Sequence, residues 1–156
     1  MKWESRDFEV YDQSKEYVDT ALVPLLPVSF NDKMKNAVGM GEYVDLLSKE
    51  IERQLHGRVL LLPPFTYLKS KESEVSVELL GEWSTALEDE AAFKHIFFLT
   101  SDVDWKKIEH TMKQTLLWLP AIPLESMDES YKEEMIREQV KQLMTVIFNE
   151  WQKRSV

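Results

Sequence analysis

The sequence predicts an α/β protein built as a three-layer α/β/α sandwich around a four-stranded, mainly parallel sheet. Two observations carry this prediction. First, four short apolar runs show no clean alternation of polar and apolar residues, which is typical of parallel strands buried on both faces. Second, amphipathic segments of helical length separate the runs, and strict alternation of strand and helix favours a parallel sheet covered on both sides. The four runs are Thr20–Leu26, Arg58–Pro63, His95–Leu99 and Gln114–Leu119.

The prolines support the same arrangement, because they fall in pairs at or just beyond the carboxyl ends of predicted strands. Proline ends a central strand because it has no N–H to donate to the ladder. The predicted strand order is 2-1-3-4, the usual start of a Rossmann- or flavodoxin-like sheet. Residues 1–156 are expected to form a single domain. The proline pairs are Pro24/Pro27, Pro63/Pro64 and Pro120/Pro123.

Apolar residues spaced three and four apart predict the helices that separate the strands. Gly57 is suited to close the first of these helices, and Ser101 and Asp102 are suitable N-caps for the third. A mobile loop is expected over Phe65–Ser73. The helices are predicted over Gly41–His56, Val75–Ala91, Val103–Lys113 and Asp128–Arg154, with a further helix over Ser5–Lys15.

Charge and composition exclude several classes of protein. The chain holds 19 basic and 28 acidic residues, a net charge of −9, which argues against nucleic-acid binding because phosphate affinity comes from clustered Lys and Arg. The longest apolar runs reach about eight residues, whereas a membrane helix needs about 20. The charged amino terminus also lacks the apolar stretch of a signal peptide. Because there is no cysteine either, we expect a cytoplasmic protein without membrane insertion.

The motifs of the chain predict no catalytic residue, no metal site and no cofactor. Gly39-Met40-Gly41 lies well beyond the first strand, and Val44 stands where a dinucleotide fingerprint needs its third glycine. The histidines His56, His95 and His110 lack the spacings of zinc motifs. No serine lies in a GxSxG elbow. Whether the protein is an enzyme therefore stays open.

Polar residues follow two of the predicted strands at their carboxyl ends, where open parallel sheets bind ligands. Thr66 and Tyr67 come after the second strand, and Thr100, Ser101 and Asp102 come after the third. These side chains would gather beside the N-terminus of a helix, which favours anions. The five residues are a candidate site for a small-molecule ligand. The alternative is that the last three only cap the third helix.

An acidic segment, residues 72–93, contains seven acidic residues and no Lys or Arg. At about 100° per residue, Glu74, Glu78, Glu82 and Asp89 form one stripe on the predicted second helix. Like charges four residues apart weaken a helix, as does Gly81, so this helix is expected to serve packing or a surface. The stripe is a candidate docking surface for a basic protein partner. The alternative is a solvated face that aids solubility.

Three further stretches carry a family resemblance: Met1-Lys2-Trp3, the run Tyr17–Pro27 and the run Gly57–Tyr67. They resemble the YpiF family of uncharacterised proteins from spore-forming Gram-positive bacteria. None of the stretches is a catalytic signature, so the resemblance implies kinship and assigns no functional residue. It also implies an accessory role beside a menaquinol–cytochrome c reductase, because the family genes tend to lie beside those of that complex.

These observations favour a binding or interaction module with an acidic helix surface. A partner whose binding is lost when Glu74, Glu78 and Glu82 become Lys would support it. The second hypothesis is a small enzyme or nucleotide-type ligand binder at the carboxyl ends of the strands, which requires a concave pocket there. The third is a structural subunit of a homodimer, which the mass in solution would reveal.

Overall fold

Strands and helices alternate along the chain. A computed structural model describes residues 1–69 and 74–153. The four predicted strands are confirmed, and a fifth strand is present that was not predicted. The elements are α1 (Ser5–Gln13), β1 (Thr20–Val28), α2 (Met34–Gln54), β2 (Val59–Leu61), β3 (Phe65–Leu68), α3 (Gly81–Thr85), β4 (His95–Thr100), α4 (Val103–Lys107), β5 (Thr115–Trp118) and α5 (Glu129–Gln152).

Every strand pairing in these residues is parallel, and the order β2-β1-β4-β5 confirms the predicted order 2-1-3-4. The additional strand β3 lies on the same side of β1 as β2. Here β2 pairs with Thr20–Leu22 and β3 with Leu25–Val28, and the break between them contains Pro63-Pro64, which has no N–H for the ladder. The loop predicted over Phe65–Ser73 is therefore wrong at its first four residues, and residues 70–73 lie outside the described residues.

Alternate residues of each strand face two different layers of helices. On β1, Ala21 and Val23 belong to a buried cluster with Trp105 of α4, while Leu22 belongs to a second cluster with Leu47 of α2. Helices α1, α3 and α4 cover the first face of the sheet, and α2 and α5 cover the second. Burial on both faces explains the continuous apolar runs of the sequence and confirms the three-layer sandwich.

The helix predicted over Val75–Ala91 is wrong in form. Residues 74–76 are not helical, and the remainder is a 3₁₀ turn over Val77–Leu80, then α3, then a π-helical turn over Ala86–Glu90. Like charges and Gly81 both weaken a regular helix in this segment. Buried Leu80 and Leu87 nevertheless attach it to the sheet, so packing rather than helix propensity positions it.

The other predicted helices are confirmed with shifted bounds. Helix α2 begins at Met34 rather than at the predicted Gly41. Apolar spacing does not reveal its first turns, because most of their residues are exposed. Helix α4 ends at Lys107 and a 3₁₀ turn follows. The side chain of Asp128 caps α5, and the predicted last residue of that helix, Arg154, lies outside the described residues. Within residues 1–69 and 74–153, no helix combines the length and apolar character needed to cross a bilayer.

Candidate functional site at the carboxyl ends of the strands

A buried carboxylate links the carboxyl ends of β3 and β4. Asp102 is 1% exposed, and the Tyr67 hydroxyl donates to its Oδ2 at 2.6 Å. The ammonium group of Lys69 donates to both carboxylate oxygens at 2.8 Å, and to Asp104 Oδ2 at 2.9 Å. A buried charge is stable only when it is paired and hydrogen-bonded. This network therefore holds β3 and the start of α4 together.

The capping role predicted for the residues after β4 is confirmed for Asp102. Its Oδ1 accepts the backbone N–H of Asp104 at 3.0 Å, which makes it the N-cap of α4. Its own N–H donates to Thr100 Oγ1 at 3.0 Å. Asp102 thus caps a helix, pairs with Lys69 and accepts from Tyr67, and these roles together account for its burial.

The structure brings three of the five predicted ligand residues together and separates the other two. Tyr67, Thr100 and Asp102 are buried on the face covered by α3 and α4. Ser101 is one residue out of phase, so it faces away from them; its hydroxyl is buried and has no partner among the described residues. Thr66 is exposed. Ligand binding by these residues stays a prediction.

The sequence reasoning missed Lys69, the basic member of the network. Lys69 stands two residues after Tyr67, so an extended chain places both side chains on the same face. The predicted loop over Phe65–Ser73 conceals this alternation, because side chains alternate between two faces only in an extended strand. The missed residue also changes the chemistry, because it neutralises the carboxylate that was expected to face a ligand.

The contacts of the network shift the pKa values of Tyr67, Lys69 and Asp104. Burial raises the pKa of the Tyr67 phenol, and Asp102 raises it further. Burial alone would lower the pKa of Lys69, but hydrogen bonds to Asp102 and Asp104 outweigh burial and raise it. The same hydrogen bond from Lys69 lowers the pKa of Asp104. The phenol therefore stays neutral and the amine stays charged at neutral pH.

An open groove of about 320 Å³ shares three residues with this network. Leu68 and Leu79 expose 67% and 47% of their surface, so the groove presents apolar area to solvent. Aromatic contacts support its floor: Phe65 lies edge-on to Trp83 of α3 at 6.0 Å, and Tyr67 edge-on to Trp105 at 5.4 Å. The groove is lined by Asn31, Lys33, Phe65, Thr66, Tyr67, Leu68, Lys69, Glu74, Val75, Leu79 and Asp104.

The predicted acidic residues are exposed, although not as a regular stripe. The 3₁₀, α and π turns advance by different angles per residue, so the helical stripe of Glu74, Glu78, Glu82 and Asp89 is wrong as a geometry. All four side chains are exposed. Glu74 lines the groove directly. Glu72, which belongs to the acidic segment in sequence, lies outside the described residues.

A second cluster of ionisable groups lies away from the groove. The ligand atoms of Asp7, Glu52 and His56 fall within 4.8 Å of one another, a spacing that suits a metal ion. However, the Met1 ammonium group lies 3.2 Å from Glu52 Oε1, and His56 Nδ1 is hydrogen-bonded to the same oxygen at 2.8 Å. Glu52 therefore already has two partners in the protein.

A family model described as "Protein of unknown function (DUF2487)" matches residues 9–151. The chain belongs to this family. A curated relative, "Uncharacterized protein YpiF" of Bacillus subtilis (strain 168), is 36% identical over 151 residues, which cover 97% of this chain and 98% of that protein. This identity confirms the resemblance to the YpiF family. No solved structure matches the chain.

Proposed function

We propose that this DUF2487 protein is a cytoplasmic interaction module that binds a basic, partly apolar segment of a protein partner at the groove beside β3. One observation carries the proposal: an acidic surface borders exposed apolar side chains. From Glu74 to Phe93 the chain has no Lys or Arg, and Glu74 and Leu79 line the same groove.

Charge complementarity selects the chemistry of the partner. Glu74, Glu78 and Glu82 are exposed, so they can pair with Lys or Arg side chains at little desolvation cost. Charged rims mainly accelerate association and set specificity, whereas apolar contacts supply the larger share of affinity. A segment that is only basic would therefore bind weakly, and one with both basic and apolar residues would fit the groove.

The first experiment selects binding peptides from a random library displayed on phage, with the protein as bait. Peptides enriched in Lys, Arg and apolar residues are the expected result. Affinity is then compared between the wild type and a triple variant, Glu74→Lys, Glu78→Lys and Glu82→Lys. The reversed charges should weaken binding at least about tenfold, because repulsion of the basic segment replaces attraction.

A matched control separates local attraction from net charge. The triple variant Glu133→Lys, Glu134→Lys and Glu138→Lys makes the same change in net charge on α5, where all three residues are exposed. It should bind the selected peptides within about threefold of the wild type. If the two triple variants lose affinity equally, the acidic surface beside the groove is not the binding site.

The YpiF-family resemblance adds an expectation about the partner. Under this proposal the basic segment belongs to a protein of a menaquinol–cytochrome c reductase system. Purified reductase subunits should bind the wild type and the α5 control variant, and should not bind the Glu74, Glu78 and Glu82 variant. Equal binding of the wild type and the Glu74, Glu78 and Glu82 variant would contradict this part of the proposal.

A second candidate, a small-molecule site at the carboxyl ends of the strands, is favoured by one observation. Thr66 and Lys69 both line the concave groove, so a hydroxyl-bearing residue and a basic residue border it. A metabolite that binds there should raise the melting temperature of the wild type and not of Thr66→Val. An equal shift for both proteins would exclude Thr66 from the site.

A further inference from the structure

The lining of the groove indicates that it runs along the edge of β3 rather than over one face of the sheet. Successive side chains of a strand point to opposite faces, yet Phe65, Thr66, Tyr67, Leu68 and Lys69 all line the groove. A cavity that contacts every residue of a strand must contact its edge. In the described residues β3 pairs with β1 and with no other strand, so the groove follows its free side.

The hydrogen-bond phase identifies which backbone groups point into the groove. The N–H of Lys69 donates to the carbonyl oxygen of Val28 at 2.8 Å. In a parallel pair, alternate residues bond to the same neighbour, so the N–H and C=O groups of Phe65, Tyr67 and Lys69 face β1. Those of Thr66 and Leu68 therefore face the groove. Among the described residues β3 pairs with no strand other than β1, and no backbone hydrogen bond outside the helices and strands involves Thr66 or Leu68.

The neighbouring edge, that of β2, is covered by the chain itself. The free side of β2 is paired by the amino terminus: Lys2 forms a parallel bridge with Leu61, and the Leu61 N–H donates to the Met1 carbonyl oxygen at 2.8 Å. Exposed strand edges are a template for pairing, and proteins usually cover or charge them. The edge of β3 instead opens into a groove with exposed Leu68.

We infer that the partner segment binds as an extended strand added to the free edge of β3. This inference rests on the proposed function and names how the partner is held. The N–H and C=O groups of Thr66 and Leu68 would pair with backbone groups of the added strand. Backbone pairing supplies affinity in this mode of recognition, and alternate side chains supply specificity.

The two sides of the groove set the side-chain pattern of the added strand. Glu74 and Val75 line it together with Tyr67, whose side chain lies on the α3 face of the sheet. Lys33 lines it together with Leu68, which points to the α2 face because it follows Tyr67 directly. Lys or Arg of the partner should therefore recur at every second position and face Glu74, while apolar residues between them face Leu68.

The test uses one peptide selected from the phage library, resynthesised with a single N-methyl group at each position in turn. N-methylation removes one backbone donor and leaves the side chains unchanged. Methyl groups at alternate positions should weaken binding at least about tenfold, and those between them should change affinity by less than about threefold. An affinity that is insensitive at every position overturns the inference.

A pair of protein variants supplies the matching control. Leu68→Pro removes the N–H that faces the groove without removing a bond to β1, and proline is tolerated at such edge positions; it should weaken peptide binding at least about tenfold. Leu68→Ala keeps the N–H and should retain more affinity than the proline variant. Equal affinities for these two variants would overturn the inference. If circular dichroism shows that the proline variant is unfolded, the N-methyl series decides alone.

The outcomes distinguish this inference from the proposed function. A peptide that depends on Glu74, Glu78 and Glu82 and yet tolerates every N-methyl group supports the proposed function and rejects strand addition. A peptide that loses affinity equally with the α5 control charges rejects the proposed function itself.

Discussion

The two ends of the sheet both contain a carboxylate paired with a basic side chain, but only the amino end is covered. There, Arg58 donates to both oxygens of Asp19, at 2.9 and 3.2 Å. Trp151, near the end of α5, lies over the Arg58 guanidinium at 4.0 Å and donates to Thr20 Oγ1 at 2.8 Å. Helix α5, from the far end of the chain, thus packs over this network.

The carboxyl end has the more deeply buried carboxylate and the more open surface. Asp102 is buried, and the side chain of its partner Lys69 is 16% exposed. The adjoining groove is lined by the exposed residues Leu68, Leu79 and Glu74. The amino end also has a cleft, of about 310 Å³, but Glu88 in its wall is paired with Lys113 at 3.0 Å and accepts from Gln114 at 2.7 Å. This difference supports the proposal that a partner binds at the carboxyl end.

The largest expected effect is the loss of Asp102. Replacing it with Ala leaves the Lys69 charge and the Tyr67 hydroxyl without their partner and removes the cap of α4, which should lower the free energy of unfolding by about 3 kcal/mol. Asp19→Ala should cost about 1 kcal/mol, because Arg58 is 40% exposed and can be hydrated. Urea unfolding of both variants measures the difference. Equal losses would contradict the comparison of the two ends.

Trp151 at the amino end makes a smaller contribution to the free energy of unfolding. Trp151→Phe keeps an aromatic ring over Arg58 and removes the N–H that donates to Thr20, so the free energy of unfolding should fall by about 1 kcal/mol. Thr20 retains its own hydrogen bond to Asp19 at 2.9 Å. Thermal unfolding monitored by circular dichroism provides the measurement. A melting temperature equal to that of the wild type would show that the hydrogen bond from Trp151 to Thr20 does not stabilise the protein.

The pH dependence of stability tests the Asp19 pair. Burial alone would raise the pKa of Asp19, but hydrogen bonds from Arg58 and Thr20 outweigh it and lower the pKa below the ordinary value of 3.8. A carboxyl group whose pKa is lower in the folded protein stabilises the fold at pH values above its unfolded-state pKa. This stabilisation is lost as the pH falls through the pKa of the folded state. Wild type and Asp19→Asn should differ at pH 7 and converge below about pH 4. Urea unfolding at several pH values checks this, and a constant gap would contradict it.

The smallest expected effect on stability comes from the exposed glutamates of the acidic segment. The triple change of Glu74, Glu78 and Glu82 to Lys should alter the free energy of unfolding by no more than about 0.5 kcal/mol, because exposed surface substitutions rarely exceed this. Urea unfolding of the variant measures the change. A loss of several kcal/mol would mean that these residues serve packing, which would contradict their assignment to a docking surface.

The fold could be predicted from the sequence wherever burial was continuous. The four apolar runs follow from strands buried on both faces, and the N-cap role of Asp102 follows from its position before a helix. Strand β3 was missed because it is four residues long and follows two prolines. The mixture of turns over residues 77–90 could not be predicted because contacts of Leu80 and Leu87, rather than helix propensity, determine it.

The candidate site was predicted in part for a topological reason. Parallel strands bring their carboxyl ends to one edge of the sheet. This places Tyr67, Thr100 and Asp102 together regardless of the conformation of the loops. Ser101 faces the other layer because neighbouring residues of an extended chain alternate. Lys69 could have been found only by assigning residues 65–69 to a strand, and the groove depends on the three-dimensional placement of Glu74 and Leu79.

The most direct test that the groove beside β3 binds a basic segment is the salt dependence of affinity. Fluorescence anisotropy of a labelled selected peptide can be measured from about 50 to about 500 mM sodium chloride, where screening of exposed charges becomes strong. The Kd should rise several-fold over this range for the wild type and for the α5 control variant, because salt screens the exposed charges. A Kd that does not change with salt would contradict the proposal.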